Sequence, residues 1–147
     1  AVTPRLALTN CHVLGSNRVH FLLKRKAILA ATIAYGDKSS DRCVLEIKTG
    51  ALAAVGGIRP YSNLTVGERV YTVGSPSGLE NTLGEGIISG LRRRWGVDLV
   101  QTSAPISPGS SGGGLFDAAG NLIGITTFLL RDAQNLNFAI AADAYWR

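Results

Sequence analysis

Short β-compatible runs separated by glycine-bearing turns recur from one end of the chain to the other, and this pattern constrains the fold more than anything else in the sequence. Eighteen of the 147 residues are glycine. The runs cover residues 6–9, 18–23, 27–35 and 43–47, then 69–74, 79–91, 97–102, 122–130 and 137–140. Val19, Phe21 and Leu23 alternate along one face of the second run, as expected for a half-buried strand. Gly36-Asp37 and Ala119-Gly120-Asn121 supply turn signals between runs. Many short strands with turns between them predict an all-β barrel or sandwich. Residues 141–147 read as the start of a helix.

The chain is 46% apolar and 17% charged, enough to bury a core in one domain or in two small halves. Glycines, a proline and few apolar runs between the two groups of strands suggest a crossover. The expected organisation is a first half at 1–52, a linker at 53–64 and a second half at 65–147. No apolar run approaches the ~18 residues that cross a membrane. An initiator methionine and a signal-peptide pattern are both absent, which reads as a processed form or an excised domain. The formal charge is +5, with clusters at Lys24-Arg25-Lys26 and Arg92-Arg93-Arg94 that read as solvated hairpin tips. No nucleic-acid-binding motif accompanies them. Cys11 and Cys43 are too few for a disulfide scaffold and lack zinc-ligand spacing.

Three segments carry candidate chemistry. His12 lies in Thr9-Asn10-Cys11-His12-Val13, at a strand-to-turn junction. Asp41 stands at the entrance to an apolar strand. Ser111 lies in Pro108-Gly109-Ser110-Ser111-Gly112-Gly113, where flanking glycines allow a tight turn and close approach of a ligand to the backbone. Such a turn can aim successive N–H groups at one point and form an oxyanion hole. Taken singly, each has an ordinary structural explanation: a hydrogen-bonded histidine, a turn aspartate, a flexible loop. Their order, His then Asp then Ser, and the sequence around each give them joint weight.

Together they resemble the chymotrypsin-like serine peptidases, and most closely the bacterial HtrA/Deg branch. Thr9–Val13 is similar to that branch's histidine segment, and Asp41-Arg42-Cys43-Val44-Leu45-Glu46-Ile47 to its aspartate strand. Val73-Gly74-Ser75-Pro76-Ser77-Gly78-Leu79 resembles a glycine-rich turn of the branch, and Gly86-Ile87-Ile88-Ser89 the strand after it. Gln101-Thr102 through Gly113 resembles the serine segment, and Leu136-Asn137-Phe138-Ala139-Ile140 the final strand. Two departures are visible: Gly114 where the family usually has proline, and Ser110 where it usually has aspartate or asparagine.

The resemblance implies two antiparallel β-barrels of the chymotrypsin type, the first lacking its N-terminal strand or strands. It implies a serine endopeptidase acting on peptides or unfolded proteins without metal or cofactor, with His12, Asp41 and Ser111 as catalytic triad. Gly109 and Ser111 would donate N–H groups to the oxyanion. Pro105, Ile106, Thr126, Thr127, Leu129 and Asn137 would bind substrate, in a pocket with no charged wall. His20 is not required and reads as solvated. If His12 and Asp41 are hydrogen-bonded, Cys11 and Cys43 come close enough for a disulfide, which would place the protein in the periplasm or outside the cell. The alternative from another class is a retired protease fold serving as a peptide- or protein-binding module.

Overall fold

The computed structural model describes residues 1–16, 19–24, 27–74, 82–106, 110–127 and 137–146. The chain divides into two compact units, Ala1–Val55 and Gly56–Arg147. All ten strands among the described residues pair antiparallel within their own unit, and helical structure is confined to short 3-10 turns. The all-β expectation therefore holds. The segment at 142–146 is one of those 3-10 turns, and no described helix is long and apolar enough to cross a membrane.

The first unit is a four-stranded sheet of β1 (Leu6–Asn10), β2 (Val19–Lys24), β3 (Ala27–Asp37) and β4 (Arg42–Ile47), in the order β1-β4-β3-β2. Among the described residues its core holds Ala7, Leu29, Ala31, Leu45 and Ile47, with Leu14 and Leu52 packed against them. A β-bulge in β3 between Ile33 and Tyr35 shifts the register against β4 just before the β3–β4 turn. Bulges bend a strand and re-aim the residues beyond the bend. His20, on β2, departs from expectation: it is half-buried, and its Nε2 is shielded from solvent with no hydrogen-bond partner among the described residues. Alternation on a strand identifies a face but does not show that the face is wet.

In the second unit a closed barrel forms from β5 (Arg69–Gly74), β6 (Thr82–Arg94), β7 (Val97–Thr102), β8 (Gly114–Asp117), β9 (Leu122–Thr127) and β10 (Asn137–Ala141). The strand order is β10-β7-β6-β5-β8-β9, and pairing of β9 with β10 closes it. Closure removes the unpaired edges that an open sheet exposes. Val70, Ile88, Val100, Leu115, Ile123 and Ala139 meet inside with less than one per cent of their surface accessible. The stretch leading into β5 is stitched to the barrel: Arg59 N–H donates to Leu122 O at 3.0 Å and Leu122 N–H to Gly57 O at 2.9 Å. The Arg59 guanidinium reaches Glu68 at 2.7 Å and Asp117 at 3.5 Å. Burial pushes the Asp117 carboxyl up, but hydrogen bonds from Asn121 and Ala119, with the charge of Arg59, outweigh it and leave the group below its ordinary range.

Candidate active site

In the first unit, β1 ends at Asn10 and the chain turns through a 3-10 helix, Cys11–Val13, which projects His12. Asp41 lies in the turn between β3 and β4 with φ of 61°, in the left-handed region where aspartate is among the few side chains found with any frequency. That conformation presents the carboxylate to the histidine turn twice. Asp41 Oδ1 accepts the backbone N–H of His12 at 2.8 Å, and Oδ2 meets the ring Nδ1 at 2.6 Å. A carboxylate only accepts, so Nδ1 carries a proton, and in the neutral ring this tautomer leaves the lone pair on Nε2. The aspartate side chain is mostly covered at 17% exposure while the histidine is 48% exposed, so the ring is oriented from behind and open in front.

Three devices hold the turn that carries Asp41. Its carbonyl accepts the Cys11 N–H at 3.3 Å and the side-chain amide of fully buried Asn10 at 3.4 Å. Asp37 forms a cage at the base of the turn. Its carboxylate takes the hydroxyls of Ser39 and Ser40, each at 2.6 Å, and Arg42 at 2.9 Å, while Arg42 Nε donates to Ser40 Oγ at 2.7 Å. The Ser39 and Ser40 hydroxyls, with Arg42, hold the Asp37 carboxyl far below the usual carboxylate range. Cys11 and Cys43 are bridged by a disulfide, with Cα atoms 5.0 Å apart. Cys43 stands opposite Thr9 in the β1–β4 ladder, so the bridge ties the histidine turn to the strand that follows Asp41. Gly36 leaves room for it, since a Cβ there would lie 3.2 Å from the Cys43 sulfur.

In the second unit, Ser111 is half-buried on a turn pinned to β9. Gly112 N–H donates to Thr126 O and Thr126 N–H to Gly113 O, both at 2.9 Å. The Thr126 hydroxyl donates to Ser110 O at 2.9 Å. Two glycines make the turn possible for different reasons. Gly112 has φ of 91°, and a Cβ on Gly113 would lie 2.5 Å from the carbonyl oxygen of Val73.

Beneath this turn is a cavity of about 150 Å³. Pro105, Ile106, Ser110 and Thr126 line it, together with residues 72–74 of β5 and 82–84 of β6, and none of these residues is charged. Three of the residues expected to bind substrate, Pro105, Ile106 and Thr126, are thus among its walls. Asn137 and Thr127 are not. The Asn137 side-chain amide donates to Ala104 O at 3.0 Å and so holds the backbone leading into Pro105. Thr127 is buried, with no partner for its hydroxyl among the described residues. Leu129 and Gly109 lie outside the described residues, as do Ser75 to Leu79 of the glycine-rich segment. The walls from β5 and β6 escaped the sequence reading. Their signal was glycine, Gly74 at the end of β5 and Gly84 within β6, since a strand glycine often marks a close backbone approach.

The chain is similar to known proteins over most of its length. A family model described as a trypsin-like peptidase domain matches residues 1–125. The chain is 35% identical to the serine protease Do-like HtrB of Bacillus subtilis over 92% of its own length and 33% of the relative's. It is 36% identical to the serine protease Do-like HtrA of Lactococcus lactis subsp. cremoris, over 92% of this chain and 38% of that one. Among solved structures, the HtrA-type protease AlgW with a decapeptide matches at a TM-score of 0.85 and 33% identity, covering 96% of this chain and 46% of that one. The chain spans about a third of the length of these two curated relatives.

Proposed function

Because this chain belongs to the trypsin-like peptidase domain family, we propose that it is a serine endopeptidase in which His12, Asp41 and Ser111 act together. The observation that carries the proposal is the double contact of the Asp41 carboxylate with the backbone and the ring of His12. A structural histidine needs neither a fixed tautomer nor an open Nε2, whereas a general base needs both. In the proposed reaction His12 Nε2 takes the proton of Ser111 Oγ as that oxygen attacks the substrate carbonyl. The imidazolium, held by Asp41, then gives the proton to the departing amine, and an acyl-enzyme on Ser111 remains. Water enters by the same route in reverse and releases the acid. The N–H groups of Gly109 and Ser111 are proposed to receive the oxyanion. Loss of one such donor costs about 3–4 kcal/mol in other serine peptidases.

The proposed substrates are peptides and unfolded proteins, and the cavity under the serine turn is the proposed primary specificity pocket. The described residues that line it carry no charge to pair with arginine or lysine, and its volume suits small or medium aliphatic side chains. Discrimination will be modest, since one methylene changes binding by about 1–3 kcal/mol. Profiling the cuts made in unfolded casein will show alanine, valine, isoleucine or leucine before the scissile bond. A profile dominated by arginine and lysine contradicts this pocket. The disulfide supports an oxidising compartment, the periplasm or the cell exterior, as the place of work.

A further inference from the structure

The β6–β7 hairpin ends in a tip that works against its own backbone. Arg94 pairs with Val97, so Trp95 and Gly96 are the two central residues of the turn. Their φ angles are 52° and 72°. Two left-handed residues make the type I′ hairpin turn, whose favoured pair is Asn-Gly. Gly96 fits that requirement. Trp95 does not, because a bulky aromatic in the left-handed region is a genuine outlier. No burial offsets the strain: Trp95 is 62% exposed, and Arg92, Arg93, Arg94 and Gly96 are exposed with it. The indole's neighbour is Arg94, whose guanidinium lies 6.0 Å from the ring centroid. A strained residue with no packing role points to a function.

The chemistry of the tip narrows that function. Three arginines face one aspartate over residues 91–98, so the tip is cationic. Arg93 is paired with Asp98 at 2.8 Å, whereas Arg94 directs its charge at a ring face that stays wet. The tip is also anchored, since the Tyr61 hydroxyl donates to Arg92 O at 3.1 Å. A two-residue turn exposed throughout is a convex point. It cannot present the ~800 Å² that a stable protein partner requires, and a lone tryptophan offers a nucleic-acid strand only one stacking surface where such grooves use several. An amphipathic indole beside arginines does match the boundary of an anionic bilayer, where the ring sits at headgroup level and cations meet phosphate.

We propose that the Arg92–Gly96 tip is a docking point for an anionic phospholipid surface, with Trp95 entering the headgroup layer and Arg94 facing lipid phosphate. The test is cosedimentation of the protein with vesicles of phosphatidylglycerol and phosphatidylcholine in equal parts, against phosphatidylcholine alone. The protein will bind the anionic vesicles, and Trp95→Asn and Arg94→Gln will each weaken binding roughly tenfold. Trp95→Asn will melt no lower than the parent, because asparagine suits the turn, so lost binding cannot be assigned to lost fold. Equal affinity for both vesicle types, or undiminished binding by Trp95→Asn, overturns the proposal. So does a protein that ignores vesicles and instead retards a single-stranded oligonucleotide.

Discussion

Ser111→Ala will lower the turnover of unfolded casein by roughly a million-fold while leaving the melting temperature within a degree or two of the parent, on the order seen when a triad nucleophile is removed. The turn carrying Ser111 is held by bonds from Gly112 and Thr126 to backbone atoms. The serine hydroxyl supports none of them, so its loss leaves the turn in place. His12→Ala will cost about as much, and the double variant no more, because members of a triad act as one device. Initial rates of casein hydrolysis, with thermal melts in parallel, check all three variants. Near-parental activity in Ser111→Ala contradicts the proposed nucleophile.

Removing the Cys11–Cys43 bridge will have the largest effect on stability. The cysteines are 32 residues apart in sequence. A closed loop of that length restricts the unfolded chain by roughly 3–4 kcal/mol. The first unit spans Ala1–Val55, and a unit of that size has on the order of 5 kcal/mol in total. The bridge is therefore a large part of its stability. In Cys11→Ala/Cys43→Ala, amide protection in β1 and β4 will fall by two or more orders of magnitude, while β7 and β9 of the barrel keep theirs. Casein hydrolysis will fall with the first unit, since the bridge joins the histidine turn to the aspartate strand. Unchanged exchange in β1 and β4 contradicts this account. The predicted order of loss, first unit before barrel, is visible in hydrogen exchange resolved by residue.

Legibility in the sequence depends on range. The strand runs and their glycine turns are local signals, and they located nearly every strand. The approach of Cys11 to Cys43 was also readable, because it comes from placing His12 against Asp41. The strand Gly114–Asp117 was missed because it is four residues long and begins directly after Gly112-Gly113. Arg92 to Arg94 do stand at an exposed hairpin tip, as read, but the strand was read to end at residue 91, and their backbones pair with Val97 to Leu99, so β6 runs to Arg94. Side-chain charge hid a ladder that belongs to the backbone. The Asp37 cage lies within Asp37 to Arg42, and only the conformation of the turn shows which of those side chains meet, while the β5–β6 walls of the cavity depend on contacts between distant segments, which no local pattern encodes. His20 failed for the same reason: its surroundings, not its position in an alternating strand, shield its Nε2.

The central claim is that Ser111 is a nucleophile activated by a histidine whose tautomer Asp41 sets. A fluorophosphonate probe reads this directly, since it phosphonylates an activated serine and spares ordinary hydroxyls. Peptide mass mapping after exposure will place one adduct on Ser111, and His12→Ala will slow its formation by several orders of magnitude. Absence of an adduct on Ser111 in the folded protein, or labelling that proceeds equally fast without the His12 imidazole, contradicts the claim.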